Sequence, residues 1–194
     1  MRLIVFDTEA TSLTPGQICQ LSYLMVEGEE VTGKNYFFSV DEMSEGSFEV
    51  HGLSMEALSD LSGGQYFEDC AQEIFEDFAK AKLLIGHNVS ADDRYLRTEF
   101  SRCGLNLPKI NTFCTMNYST GILNMQRKVD IGRPKPPKLE ELYTYYGISP
   151  EHIIEMSGQW FGGGSDKHDA RFDTAATWLC VLAATSKGDL RGLL

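Results

Sequence analysis

Short runs of β-favouring hydrophobic residues, separated by polar turns, mark the first part of the chain. Strands are predicted over Leu3–Asp7, Ile18–Val26 and Thr32–Val40. The segment Glu27–Glu30 (EGEE), between the last two runs, is typical of a hairpin turn. The pattern therefore predicts three antiparallel strands at the start of the fold.

Further along the chain, apolar positions recur at the spacing of an α-helix. Helices are predicted over Phe67–Lys82, Ser90–Cys103, Lys138–Tyr146 and Asp169–Thr185, with a short buried strand at Leu83–His87 and loops at Asn124–Pro137 and Gly158–Lys167. This order predicts an α/β fold: a mixed sheet with three antiparallel strands first, then crossover strands, flanked by helices. No stretch resembles an interdomain linker, so residues 1–194 are expected to form a single domain.

Composition narrows the location and the class of protein. The five cysteines show no CxxC spacing, which favours a reducing compartment, and we expect a cytoplasmic protein. No apolar stretch reaches the length of a membrane span, so no membrane partner is expected. The net charge of −11 excludes a general electrostatic nucleic-acid binder, unless a basic patch or bound metal ions offset that charge locally.

Two carboxylates end the first predicted strand. Asp7 and Glu9 are two residues apart, so their side chains share one face of the strand. At about 4 Å, two such charges repel by roughly 1 kcal/mol in water and about 4 kcal/mol at an intermediate dielectric. Either both side chains project into solvent, or they share a hard divalent cation such as Mg²⁺.

A second acidic pair follows the strand that ends at His87. Asp92 and Asp93 lie in the first turns of the next helix, where adjacent side chains diverge by about 100°. Asp92 shares the buried stripe of Leu96 and is the better candidate ligand, whereas Asp93 is expected to be solvated or paired with Arg97. A carboxylate that only meets the helix dipole is the alternative for Asp92.

The last predicted helix supplies a fourth carboxylate. Asp173 lies on an alanine-rich apolar face, where an acid needs a partner or a cation, and Asp169 is a candidate N-cap. His168, beside a glycine-rich loop, is either an ordinary surface residue or a general base. Asp7, Glu9, Asp92 and Asp173 together predict a site for two Mg²⁺ or Mn²⁺ ions, about 3.5–4 Å apart.

Three segments carry a family resemblance: DTEATSL, HNVSADDRYL and HDARFD, in this order. They resemble the three motifs of the DEDDh 3′–5′ exonucleases, the DnaQ-like group of the RNase H-like fold. The resemblance rests on Asp7, Glu9, Asp92, His168 and Asp173. It implies an RNase H-like mixed sheet and two-metal hydrolysis of the 3′-terminal phosphodiester of single-stranded DNA or RNA, with release of nucleoside monophosphates.

The resemblance also implies residues for a terminal-nucleotide pocket. Thr8 and Ala10 would line it through their backbone, and Leu13 or Leu53 through apolar contacts. His51 and Asn88 are implied contacts to the sugar or base, and ordinary packing is the alternative for Leu13 and Leu53. Ala91 and Asp93 depart from the family pattern at the edge of this site. The family resemblance leaves open a homodimer.

A basic segment could offset the acidity of the chain. Arg127, Lys128, Arg133, Lys135 and Lys138 fall within one proline-rich stretch. They form either an arm that follows the phosphate backbone of a substrate, with Arg127 and Lys128 as contacts, or a solvated loop.

Two other functions remain open from the sequence. A non-catalytic nucleic-acid-binding or polymerase-accessory module could retain the same fold, and a hydrolase could use the same acids on a small phosphodiester. The complete set of four acids with His168 favours the exonuclease.

Overall fold

A five-stranded mixed sheet forms the centre of the protein. The computed structural model describes residues 1–127, 132–163 and 169–190. The strands are β1 Arg2–Ala10, β2 Ile18–Glu27, β3 Glu30–Phe37, β4 Leu83–Gly86 and β5 Asn111–Cys114, in the spatial order β3-β2-β1-β4-β5. β1, β2 and β3 are antiparallel neighbours, whereas β4 is parallel to β1 and β5 is parallel to β4. The predicted mixed α/β sheet is confirmed.

Helices cover both faces of this sheet. They are α1 Glu45–His51, α2 Met55–Ser62, α3 Phe67–Ala79, α4 Val89–Arg102, α5 Thr115–Leu123, α6 Leu139–Tyr145, α7 Pro150–Phe161 and α8 Ala170–Lys187. The four predicted helices correspond to α3, α4, α6 and α8, with ends that differ by at most three residues. Within the described ranges, none of the helices is long and apolar enough to cross a membrane.

The two-residue period of β1 separates two hydrophobic cores. Leu3 and Val5 point towards the core that α8 shares with α6 and α7. Ile4 and Phe6 point towards the core formed with α3 and α4. The same alternation continues along β1 and directs Asp7 and Glu9 to the α8 side of the sheet.

The predicted strand boundaries need two corrections. β1 does not end at Asp7 but continues to Ala10, because Asp7 pairs with Ser22 and Glu9 with Gln20 of β2. β3 spans Glu30–Phe37 rather than Thr32–Val40, and the two-residue hairpin turn brings Glu27 opposite Glu30 as expected. The carboxylates therefore lie within a paired strand rather than on a loop after it.

Five elements had no sequence prediction. α1 buries none of its residues, so it has no apolar period to detect, although Ser44 caps it. β5 has only four residues, none of them fully buried. α2 and α5 bury only one and two residues, respectively. The predicted loop from Gly158 is wrong at its start, because α7 continues to Phe161 and ends at Gly162 in a left-handed conformation.

Candidate active site

Three carboxylates converge at the end of β1 that lies beside α8. One oxygen each from Asp7, Glu9 and Asp173 lies within 4.8 Å of the other two. The three side chains are partly exposed at this point. Such a spacing of hard oxygen ligands is suitable for a divalent cation.

The sequence explains why these acids meet. Asp7 and Glu9 share a face of β1, and α8 crosses that face with its first turn beside them. Asp173 lies in that first turn, after the N-cap Asp169. The alternation of side chains along β1 and the position of the first turn of α8 thus bring together residues that are more than 160 positions apart in the chain.

Asp92 approaches the same end of β1 from α4. Its Oδ1 accepts hydrogen bonds from the Thr8 backbone N–H (3.2 Å) and the Thr8 hydroxyl (2.7 Å). The side chain is buried, with a relative exposure of 7% for the residue. Because Thr8 lies between Asp7 and Glu9, these two bonds fix Asp92 next to the three converging acids.

Asp93 points away from this cluster. Both of its oxygens accept from Arg97 Nε, at 3.0 and 2.8 Å, one helical turn further along α4. The pairing with Arg97 is as predicted, and it leaves Asp92 as the acid directed towards β1.

The pKa of all four acids is raised. Burial is the largest cause for each of them, and the charges of the other acids add to it for Asp7, Glu9 and Asp173. The pKa of Asp7 rises well above its usual range, that of Glu9 rises to about 9 and that of Asp173 to about 7. Burial raises the pKa of Asp92 only to about 6, because the hydrogen bonds from Thr8 offset part of the burial effect. A bound cation or protons would relieve this accumulation of charge.

Asp169 is a fifth acid near the site, which the sequence indicated only as a helix cap. Its charge contributes to the raised pKa values of Asp7, Glu9 and Asp173. Arg171 neutralises it through a close ion pair, and the buried Gln20 Nε2 donates to its Oδ1 at 2.9 Å. Gln20 is 149 positions away in sequence, so no local pattern could have revealed this contact.

Two predicted site residues lie outside the described part of the chain, namely His168 and Lys128. The role of His168 as a base and that of Lys128 as a phosphate contact therefore stay predictions. The described neighbour of Lys128, Arg127, is exposed, and its Nε donates to the Pro134 carbonyl at 3.3 Å.

A cavity of about 360 Å³ opens beside the acids. Its lining includes five predicted site residues: Thr8, Glu9, Ala10, Leu13 and His51. Leu13 is 91% exposed, which is unusual for a large apolar side chain. The cavity thus places an apolar surface next to the carboxylates.

The other predicted pocket residues have different surroundings. Leu53 packs against a small core of Cys19, Val40 and Leu58, and its backbone N–H donates to His51 Nδ1 at 3.1 Å. Burial lowers the pKa of His51. Asn88 is exposed and begins α4 in a left-handed conformation, with φ of 75°. Their proposed contacts to a nucleotide stay predictions.

The fold is that of structurally characterised exonucleases. A zinc-bound structure of Escherichia coli ExoI in complex with ssDNA superposes with a TM-score of 0.74 at 18% identity, over 97% of this chain and 41% of that one. A structure of apo Exonuclease I gives a TM-score of 0.69 at 17% identity, over 95% of this chain and 42% of that one. These similarities confirm the RNase H-like fold class expected from the sequence.

Sequence comparison defines the family. The RNase_T family model, described as "Exonuclease", matches residues 4–152, and the chain belongs to this exonuclease family. The epsilon subunit of DNA polymerase III from E. coli is 31% identical over 157 residues, which are 76% of this chain and 61% of the subunit. The Buchnera aphidicola epsilon subunit is 27% identical over 163 residues, 79% of this chain and 66% of the subunit. The chain thus spans about two thirds or less of these relatives, and its resemblance to DEDDh, DnaQ-like exonucleases is confirmed.

Proposed function

We propose that the chain is a metal-dependent 3′–5′ exonuclease for single-stranded DNA or RNA. It hydrolyses the 3′-terminal phosphodiester and releases nucleoside monophosphates. The observation that carries this proposal is the convergence of Asp7, Glu9 and Asp173, with Asp92 held beside them by Thr8. Membership of the exonuclease family and the names of the relatives support the same reaction.

The acid cluster fits two Mg²⁺ or Mn²⁺ ions. Its oxygens are hard ligands, and a bound cation would offset the burial and the repulsion that raise the pKa values of Asp7 and Glu9. When bound, such ions supply activation of a water molecule and stabilisation of the leaving oxygen. Asp7, Glu9, Asp92 and Asp173 would hold them.

The protein's own residues would orient the substrate and move one proton. An imidazole nitrogen of His168 would accept the proton of the attacking water as the new bond from oxygen to phosphorus forms. The bond between phosphorus and the 3′-oxygen of the preceding nucleotide then breaks, and this oxygen takes a proton from solvent and leaves as a hydroxyl group. The cavity beside Glu9 would hold the terminal nucleotide, with Leu13 against the base and the Thr8 and Ala10 backbone along its edge.

The basic segment would guide the rest of the strand. Arg127 and Arg133 are exposed, and an isolated bridge between Gln126 and Pro134 joins the two sides of the segment. Charges of this kind bind phosphates without sequence preference. Lys135 contributes less, because it is paired with Glu141.

A 5′-labelled single strand tests the proposal directly. With Mg²⁺ we expect a ladder of products shortened from the 3′ end, no shortening with EDTA, and protection of a matched strand whose 3′ end is chemically blocked. Binding without shortening in Mg²⁺ and in Mn²⁺ would instead identify an accessory module. Cleavage of small phosphodiesters alone would identify a different hydrolase. DNA and RNA strands of one sequence would define the preferred sugar.

Two further sequence-based expectations accompany this proposal. A homodimer is tested by light scattering of the purified chain, and the cytoplasmic location by fractionation of the source cell.

A further inference from the structure

The exposed Leu13 lies on a tightly closed loop, Thr11–Gln17, here called the Leu13 loop. The Thr11 N–H donates to the Gln17 carbonyl at 2.9 Å, and the Gln17 N–H donates to Thr11 Oγ1 at 3.0 Å. At Gly16, a Cβ atom would lie only 2.5 Å from Thr11 Oγ1 and 2.6 Å from Ser12 Oγ. The loop is therefore packed against itself and holds Leu13 in a defined place.

Side chains from α4 hold this loop by its backbone carbonyl groups. The donors and acceptors are Tyr95 Oη to Ser12 O (2.7 Å), Arg94 Nη2 to Leu13 O (3.3 Å), Arg102 Nη2 to Pro15 O (2.9 Å) and Arg102 Nη1 to Gly16 O (3.0 Å). Four of the loop's seven carbonyl groups are thus fixed by one helix. Such bonds depend on the backbone path and not on the loop's side chains.

Glu99 holds both Arg102 and the end of the Leu13 loop. Its Oε1 accepts from the Ile18 N–H at 2.8 Å, at the first residue after the loop, and pairs with Arg102 Nη1 at 3.2 Å. Glu99 is only 5% exposed, whereas the Arg102 side chain is 43% exposed, so the pair joins the interior to the surface. We call Arg94, Tyr95, Glu99 and Arg102 the α4 clamp.

The same helix carries the candidate ligand Asp92. Asp92 is bonded to Thr8 of β1, and the α4 clamp begins only two residues later. The position of Leu13 is therefore tied to that of Asp92 through one rigid element. The cavity beside Leu13 is also lined by Glu9 and the exposed Val50.

We propose that the α4 clamp is a positioning device that sets the distance between Leu13 and the acid cluster. The clamp holds Leu13 so that a 3′-terminal nucleobase lies against it while the scissile phosphate reaches the carboxylates. Arg94 and Arg102 are positioning residues that act through Leu13. Tyr95 acts in the same way through its bond to Ser12 O, and it also lines the cavity. This inference rests on the proposed exonuclease function.

A double-mutant cycle on strand binding tests the clamp. The probe is a single strand with a 3′-terminal 2-aminopurine and a non-hydrolysable terminal linkage, titrated in Mg²⁺ so that binding is measured without turnover. We expect Leu13→Ala to weaken binding about tenfold in the otherwise native chain. In an Arg102→Ala background, we expect Leu13→Ala to weaken binding less than about twofold, because Leu13 is no longer held in place.

Arg97 provides a matched control on the same helix. Its guanidinium also holds two loop carbonyl groups, Leu107 O at 2.8 Å and Pro108 O at 3.2 Å, but this loop does not carry Leu13. In an Arg97→Ala background, Leu13→Ala should keep its full effect. Tyr95→Phe removes a single bond to the loop and keeps the buried ring, so it serves if Arg102→Ala fails to fold, and it should also reduce the effect of Leu13→Ala.

The outcomes separate this inference from the proposed function. If the native chain neither binds nor shortens single strands, the exonuclease proposal fails, and the positioning role that rests on it fails as well. If the native chain does both, but Leu13→Ala has the same effect in the Arg102→Ala, Tyr95→Phe and Arg97→Ala backgrounds, the positioning role is overturned alone. A smaller effect in the first two backgrounds than in the third supports it.

Discussion

Adjacent acids on α4 have opposite surroundings, although their chemistry is the same. Asp92 is fixed by Thr8 beside the acid cluster, whereas both oxygens of Asp93 accept from Arg97. The difference arises because neighbouring helical residues point about 100° apart. The pair therefore offers a comparison in which charge and helix position are held nearly constant.

Replacing each acid by its amide should separate the two roles. Asp92→Asn should lower the rate of 3′-end shortening by about 100-fold or more, because a metal ligand loses its charge. Asp93→Asn should change the rate by less than about threefold. Product ladders from a 5′-labelled strand in Mg²⁺ give both values, and equal losses in the two variants would show that Asp92 has no special part.

Asp7 illustrates a carboxylate that opposes folding when no cation is bound. Burial and four nearby acids raise its pKa. We expect Asp7→Asn to abolish shortening yet to raise the melting temperature of the metal-free protein by a few degrees, since repulsion is removed. Calorimetry in EDTA provides the measurement. A clear loss of metal-free stability would contradict the repulsion argument.

Only those features of the candidate site that follow from the spacing of nearby residues could be predicted from the sequence. The i, i+2 spacing of Asp7 and Glu9 and the helical position of Asp92 were readable, and the geometry agrees with both. The contact between Gln20 and Asp169 depends on packing between distant elements, so no local signal existed. The roles of His168 and Lys128 stay predictions, because these residues lie outside the described ranges.

At the scale of the element, close approach between β3 and α7 depends on a glycine. A Cβ atom at Gly33 would lie 2.4 Å from the Trp160 carbonyl oxygen and 2.9 Å from Phe161 Cδ1. Trp160 and Phe161 are partly buried and pack against the α8-side core. The last turn of α7 is thereby fixed against the sheet.

Gly33→Ala should lower the free energy of unfolding by about 1–3 kcal/mol, because the added methyl group forces β3 and α7 apart. Gly121 provides the control, since it lies within α5 and a Cβ atom there would meet nothing within 4 Å. Gly121→Ala should raise the stability by about 0.5–1 kcal/mol. Urea unfolding measures both, and unchanged stability in Gly33→Ala would show that the contact is loose.

Elements with a strong apolar period were predictable, and the remaining ones were not. α3 buries four residues along one face and was found from its spacing, whereas α1 buries none. β4 was recognised as a buried strand because it is central, whereas β5, at the edge of the sheet, has two exposed residues. The sequence thus predicted most of the elements that build the two cores, but it missed α7, which contributes the fully buried Ile153 to one of them.

At the scale of the whole molecule, the net charge of −11 opposes the binding of a polyanion, and the acid cluster lies where the proposed substrate would bind. Cations at the acid cluster would reverse this local repulsion, and the exposed Arg127 and Arg133 would extend the attraction along the strand. The protein's stability and its substrate binding should therefore both depend on the same ions.

The metal-free protein should lose stability as the pH rises from about 6.5 to about 8.5. The folded-state pKa values of Glu9, about 9, and Asp173, about 7, lie above those of unfolded carboxylates near 4. A group whose pKa is higher in the folded than in the unfolded state stabilises the folded state while it carries its proton. This contribution is lost as the pH rises through the folded-state pKa. Mg²⁺ should remove most of this dependence, because it replaces the protons.

The pH dependence is measured as the melting temperature at a series of pH values in EDTA. Two variants of equal net charge test whether it arises from the acid cluster. Asp7→Asn should flatten the fall in melting temperature between about pH 6.5 and about pH 8.5, because one carboxyl whose pKa is raised by folding no longer titrates. Asp93→Asn removes the same charge from a carboxylate paired with Arg97 and should change the slope much less, because Asp93 contributes only a small part to the raised pKa of Asp92. Equal slopes for the native chain and both variants in EDTA would show that the pH dependence comes from other groups. A slope that Asp7→Asn and added Mg²⁺ reduce much more than Asp93→Asn does would locate it in the four acids around β1.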